Sequence, residues 1–209
     1  MLQKVLVLLS MLICMVYGGN ICCLPEQWEG MQGFQTGSLD DQGHTAITLG
    51  SVGTSYDATN KRVRLVENII SGGNSQEFTI LQLFNQNVQY NIKNQTCTSS
   101  RAPAWTENCI PDTATMTGKY RLGLNQSIEV TGYVWTQGNV SIGLDVTDGC
   151  VPITQGTQGE VSGVQFMSGT SVLGITVGIK DPSVFDVPAI CKHPHVSIDP
   201  NPPRRIFGH

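Results

Sequence analysis

Charge is scarce in this chain: Asp, Glu, Lys and Arg make up 13% of its 209 residues. The 12 Lys and Arg are outnumbered by 16 Asp and Glu. No stretch gathers the clustered positive charge that nucleic acid requires, so nucleic acid is excluded as a partner. Histidine is scarcer still: apart from His44 there are only His193, His195 and His209, all in the C-terminal tail. The chain has no Gly-x-Ser-x-Gly, no His-Glu-x-x-His and no phosphate-cradling glycine loop. Those absences remove the enzyme classes that such motifs mark, and no catalytic role is expected. No Cys-x-x-Cys pair offers the usual spacing of a zinc site. Past the N-terminal leader no apolar run approaches the roughly 20 residues that span a bilayer, so no transmembrane segment is expected.

What is present begins with that leader. Lys4 precedes an apolar run over residues 5–16, and Tyr17-Gly18-Gly19 supplies small residues behind it. This is the pattern of a secretory signal peptide, residues 1–18, cleaved after Gly18. The mature protein is then secreted and extracellular. Cys14 leaves with the leader, and Cys22, Cys23, Cys97, Cys109, Cys150 and Cys191 remain. An even number of cysteines in an exported chain predicts a disulfide framework. Asn94-Gln-Thr96, Asn125-Gln-Ser127 and Asn139-Val-Ser141 are acceptors for N-glycosylation.

The body of the chain reads as strands. In residues 61–97 apolar side chains recur at every second position, as in Val63 and Leu65, Phe78 and Ile80, and Val88, Tyr90 and Ile92. Ser71-Gly72-Gly73-Asn74 is a hairpin signal, because glycine and asparagine accept the positive φ of tight turns. Further strands are predicted over 33–39, 45–49, 119–124, 127–135, 139–144, 150–154, 159–166 and 172–179. Residues 98–117 show no clean period and read as a long loop or a poorly formed helix. One β domain over 19–192 is followed by a proline-rich tail, 193–209, expected to be flexible. So many short strands exceed one flat sheet, which predicts two stacked curved antiparallel sheets, a half-barrel or sandwich around a hollow.

Trp28, Tyr90, Tyr133, Trp135 and Phe166 either line that hollow or fill an ordinary core; alternation buries them in both cases. His193-x-His195 has the spacing for a metal but only two ligands. Asp40-Asp41 and Asp145-Val-Thr-Asp148 offer carboxylates in turns without matching a calcium loop, so calcium is the one cofactor left open.

Several motifs taken together carry a resemblance. Cys23-x-Pro25-x-x-Trp28-x-Gly30, Tyr56-Asp57 followed by Arg62-Val-Arg64, Tyr90-Asn-Ile92 ahead of Cys97, and Phe185-Asp-Val-Pro-x-x-Cys191 resemble the ependymin-related proteins in order and spacing. The resemblance implies a secreted, often dimeric glycoprotein with two stacked sheets around a deep apolar pocket, similar to bacterial lipoprotein carriers. It implies disulfides Cys23–Cys150 and Cys97–Cys191, which leaves Cys22 and Cys109 to pair with each other or between subunits. Two roles follow from it. One is a calcium-responsive glycoprotein of the extracellular matrix, in cell adhesion or a shell-type matrix. The other is a carrier of a lipid or other hydrophobic ligand. Matrix components or that ligand are the expected partners, with a homodimer as the assembly.

Overall fold

The structure, a computed structural model, describes residues 20–196, without the side chains of the last two. The expected leader and most of the proline-rich tail lie outside the described residues. The chain forms β1 (Asn20–Cys23), β2 (Gln27–Leu39), β3 (Thr45–Asp57), β4 (Arg62–Ser71), β5 (Asn74–Leu83), β6 (Val88–Lys93) and β7 (Thr96–Arg101). It continues with β8 (Cys109–Pro111), β9 (Thr115–Leu122), β10 (Ile128–Gln137), β11 (Val140–Val146), β12 (Pro152–Val161), β13 (Val164–Val177) and β14 (His195–Val196). Short 3-10 turns lie at Phe84–Gln86, Pro182–Phe185 and Ala189–Cys191.

These strands make the two antiparallel sheets that the composition predicts, but of very unequal size. One is a ribbon of β1 and β8; the other has 12 strands in the order β14-β7-β6-β5-β4-β3-β2-β13-β12-β11-β10-β9. The large sheet is two meanders, β2 to β7 and β9 to β13, joined where β2 pairs with β13. Only β14 runs parallel, against β7. Local chemistry sets the hairpins. Gly72 and Gly73 at the β4–β5 tip have φ of 55° and 78°, a left-handed pair that matches the twist of the flanking strands.

The sheet bends strongly. In a flat sheet, β3 and β11 would lie four strand spacings apart, about 19 Å. Yet Tyr56 of β3 and Leu144 of β11 belong to one core cluster, which also holds Trp28, Val63, Val146 and the ribbon residue Ile110. The inward face therefore wraps around the ribbon.

Burial is graded along the strands. β3 is exposed at Thr45 and buried at Asp57, β4 is buried at Val63 and exposed at Ser71, and β5 is exposed at Asn74 and buried at Leu83. The half-barrel is thus closed at the end that carries the β3–β4 and β5–β6 turns and the ribbon. Its hairpin tips, at 40–44, 72–73, 94–95, 138–139 and 162–163, form the other end.

Two sequence expectations need correction. Residues 98–117 are not one long loop: they hold most of β7, all of β8 and the start of β9, leaving 102–108 and the short turn 112–114 without strand. Thr-Cys-Thr-Ser-Ser-Arg of β7 shows no apolar alternation because little but Cys97 on it is buried. The three-residue β8 is too short to show a period and exists by pairing with β1. The second correction concerns the disulfides. Cys97 bonds Cys191, as the resemblance implies, but Cys22 bonds Cys150 and Cys23 bonds Cys109. Neighbouring strand residues point to opposite faces. Cys23 sits directly across the ribbon from Cys109, while Cys22 turns the other way, onto the core beside Cys150.

Candidate ligand-binding face

The register of the large sheet sorts its side chains into two faces, since directly opposed residues share a face. Trp28, Tyr56 and Val63 form one inward row at the closed end. Their floor is aromatic. The rings of Trp28 and Tyr56 lie 5.9 Å apart, Tyr56 stacks on Trp105 at 5.7 Å, and Trp105 meets Phe84 edge-on at 4.9 Å. Trp105 comes from the 102–108 segment, which therefore seals the floor. Burial, with the nearby negative charges of Glu107 and Glu26, raises the Tyr56 phenol above its ordinary value, against one lowering hydrogen bond involving the backbone of Asn108.

Higher up, the same face changes character. One row places Glu67, Val52 and Gln32 side by side on β4, β3 and β2. The next runs Phe34, Thr170, Gln155, Leu144 and Tyr133 across β2, β13, β12, β11 and β10. A third runs Thr36, Ser168, Thr157, Ile142 and Trp135 across the same strands. Gln32, Glu67, Gln155, Thr157, Ser168 and Thr170 are all buried. Some of these groups satisfy one another: Gln32 Nε2 donates to Thr54 Oγ1 at 3.3 Å, and the Thr36 and Ser168 hydroxyls lie 2.8 Å apart. Thr157 Oγ1 is buried with no hydrogen-bond partner among the described residues. The inward face is therefore a polar belt flanked by apolar walls, above an aromatic floor.

At the rim an open groove of about 740 Å³ lies among the β2–β3, β10–β11 and β12–β13 tips, bordered by Leu39, Asn139, Phe166 and Met167.

The sequence-derived aromatics fall into three places. Trp28, Tyr133 and Trp135 come together in or against the floor cluster. Phe166 stands apart at the rim groove. Tyr90 lies on the outer face, opposite Leu81, in a second cluster of Leu81, Leu83 and Phe185. The apolar phase changes side between β5 and β6 because the outer face at the closed end is covered as well, by the segment holding the two C-terminal 3-10 turns. The belt residues were missed because they are polar. One signal was available: Glu67 occupies the apolar phase of Val63, Leu65 and Ile69.

The sequon residues Asn94, Asn125 and Asn139 are all exposed, each in a strand-to-strand turn. Asp40 and His44 close the β2–β3 tip, with Nδ1 of His44 2.9 Å from Asp40 Oδ2. Asp145 accepts a short hydrogen bond from Thr154. Among the described residues, one group of three potential metal-ligating side chains is close enough to share an ion, Cys23, Glu107 and Cys109. Its two cysteines are consumed by their own disulfide. Neither Asp40-Asp41 nor Asp145 with Asp148 gathers such a group. No described helix is long and apolar enough to cross a membrane.

A sequence profile described as Ependymin matches residues 72–191. Mammalian ependymin-related protein 1 of Mus musculus is 26% identical over 183 residues, covering 82% of this chain and 76% of that protein. The Rattus norvegicus protein of the same name is 26% identical over the same shares. Among solved structures, an uncharacterized conserved protein from Thermus thermophilus is similar at a TM-score of 0.47 and 11% identity, covering 83% of this chain and 91% of that one. A LolA superfamily protein from Nitrosomonas europaea is similar at 0.32 and 8%, covering 78% and 91%.

Proposed function

We propose, for a chain that belongs to the ependymin family, that it is a non-catalytic extracellular binding protein whose half-barrel holds an apolar or amphipathic ligand on its inward face. The observation that carries this reading is the graded inward face. Aromatic rings close one end, burial falls toward the hairpin tips, and the strands between them carry both apolar walls and a polar belt. A protein that needed only a core would fill those inward positions with apolar side chains, because each buried polar group costs free energy unless it is satisfied. Here polar residues occupy inward positions on β2, β3, β4, β12 and β13. Ligand sites combine these two elements: apolar surface for affinity and a few fixed polar groups for orientation.

Three disulfides and three sequons on exposed turns support an oxidising, exported setting. Native mass spectrometry of the protein secreted from eukaryotic cells, before and after denaturation with organic extraction, tests the reading. A bound apolar or amphipathic molecule released on denaturation is expected. Protein that leaves cells empty and takes up no apolar reporter dye would overturn it.

A further inference from the structure

We infer that the Cys23–Cys109 disulfide is a site of thiol–disulfide exchange, opened by an external dithiol while the other two bonds stay closed, and that it latches the segment sealing the aromatic floor. The three bonds differ in access. Cys23 is exposed and Cys109 half-buried. Cys97 and Cys191 are 3% and 2% exposed. Cys150 is 3% exposed, and its partner Cys22 packs against the core. Exchange requires an attacking thiolate to reach a sulfur, so access ranks Cys23–Cys109 first. The ribbon register is the cause: Cys23 and Cys109 oppose each other on its solvent side, while Cys22 turns onto the core.

The attack is directed as well. Oε2 of Glu107 lies 3.8 Å from Cys109 Sγ. Its charge repels a thiolate approaching that sulfur, which leaves Cys23 Sγ as the point of attack. The thiolate of a dithiol bonds to Cys23 Sγ, the Cys23–Cys109 bond breaks, and Cys109 leaves as a thiolate that takes up a proton. The second thiol of the dithiol, deprotonated, then attacks the sulfur of the first, and Cys23 leaves as a thiolate and is protonated. Two electrons pass to the protein, which ends with two thiols, and the dithiol ends as a disulfide. A secreted or lumenal protein with a Cys-x-x-Cys dithiol is the class of partner that supplies them.

The bond holds residues 102–108 in place. No strand ladder fixes this segment between its ends. At one end the Ala102 N–H donates to Asn87 O at 3.3 Å. The other end is pinned to the β1 side by the Leu24 N–H, which donates to Asn108 O at 2.9 Å, and by the disulfide at the next residue. Between them Trp105 stacks on Tyr56, whose phenol is hydrogen-bonded to the Asn108 backbone. A ribbon of so few residue pairs is marginal by itself. Opening Cys23–Cys109 frees that end of the segment, while Ile110, 0% exposed, and Cys22–Cys150 keep the ribbon on the core. The result is a local opening and not global unfolding. Its consequence rests on the ligand-binding reading of the inward face: the freed segment opens the floor and speeds release.

The test uses the full secreted protein in its oxidised form. Dithiothreitol is added without denaturant, free thiols are trapped with iodoacetamide, and peptides are mapped by mass spectrometry. Cys23 and Cys109 should be labelled about tenfold or more faster than any other cysteine. Glu107→Gln should speed that labelling by about threefold. Hydrogen exchange then compares the oxidised protein with protein labelled at Cys23 and Cys109 alone, and with the double variant Cys23→Ser, Cys109→Ser. In both opened forms the amides of 102–108 should exchange about tenfold faster or more, with β2 to β6 unchanged. Bound N-phenyl-1-naphthylamine, a neutral fluorescent reporter, should leave them about three- to tenfold faster.

Labelling of any other cysteine as early as Cys23 overturns the exchange site. An unchanged rate in Glu107→Gln overturns the direction of attack. Selective labelling with 102–108 exchanging as before overturns the latch, and faster exchange with unchanged reporter release overturns the floor as an exit. If the reporter binds no form, the ligand-binding reading itself fails, while labelling and hydrogen exchange still decide the site and the latch. Should the double variant not be secreted, the selectively labelled protein decides alone.

Discussion

The guanidinium of Arg62 lies over the ring of Phe185, 4.2 Å from its centroid, while its Nε donates to Asp57 Oδ2 at 2.7 Å. One side chain thus links the β3–β4 turn to the C-terminal segment that crosses the outer face. Phe185 is buried against Leu81 and Leu83, and Asp181 opens its 3-10 turn by accepting from the Ser183 backbone at 2.9 Å. Replacing Phe185 by Ala removes the ring, its apolar contacts and the cation–π contact together. A loss of about 3 to 5 kcal/mol is expected, read as a lower midpoint in guanidinium unfolding of the oxidised protein. A change below about 0.5 kcal/mol would show that the segment is not docked in solution.

The disulfide pattern gives a second prediction. Non-reducing peptide mapping should recover Cys22 with Cys150, Cys23 with Cys109 and Cys97 with Cys191. The last bond ties β7 to the C-terminal segment across a separation of 94 residues. Replacing Cys97 and Cys191 together by Ser should cost about 3 to 5 kcal/mol, since a loop of that length is entropically expensive to close. A peptide joining Cys23 to Cys150 would contradict the ribbon register that sets Cys23 against Cys109.

Glycosylation is the third. Asn94, Asn125 and Asn139 sit exposed in strand-to-strand turns, outside every ladder and away from the core, so glycans there cost no packing. Enzymatic removal of N-glycans from the secreted protein should lower its mass, and each Asn→Gln change should remove one glycan without altering the unfolding midpoint. Asn139 borders the rim groove, so a glycan there would stand beside the open end.

How much of this was legible beforehand depended on what each residue's pattern reported. Alternation and turn chemistry mark most strands: Ser71-Gly72-Gly73-Asn74 is a hairpin tip because two adjacent left-handed residues are needed there. The same rule failed for Thr96–Arg101, an almost wholly polar strand that exists through its pairing with β6 and β14. It also misplaced Tyr90, since a period of two says that one face is buried without saying which. That choice was made by Phe185, about a hundred residues away in sequence, which covers the outer face there. The cysteine pairing hung on a ribbon register that three residues of β8 cannot announce. Glu67 was visible as a break in an apolar phase, but whether such a break faces a core, a hollow or a neighbour is a property of the folded sheet.

The fourth prediction concerns acid. Asp57 is fully buried and accepts from Gln27, Asn60 and Arg62. Burial alone would raise its carboxyl, but those hydrogen bonds outweigh it and hold the group below its ordinary value of 3.8. A carboxylate whose folded pKa is depressed contributes stability that is fully present above its unfolded value. That contribution is lost as pH falls from there through the lower folded value. Stability from this group should therefore be flat from pH 7 down to about pH 5 and fall below about pH 4. Asp57→Asn removes the titration while keeping the shape of the side chain. It should be less stable than the unmodified protein at pH 7, and the two should converge as pH drops toward about 2. Guanidinium unfolding across that range reads the difference directly. A gap that stays constant with pH would mean that the Asp57 charge contributes nothing beyond its hydrogen-bonding shape.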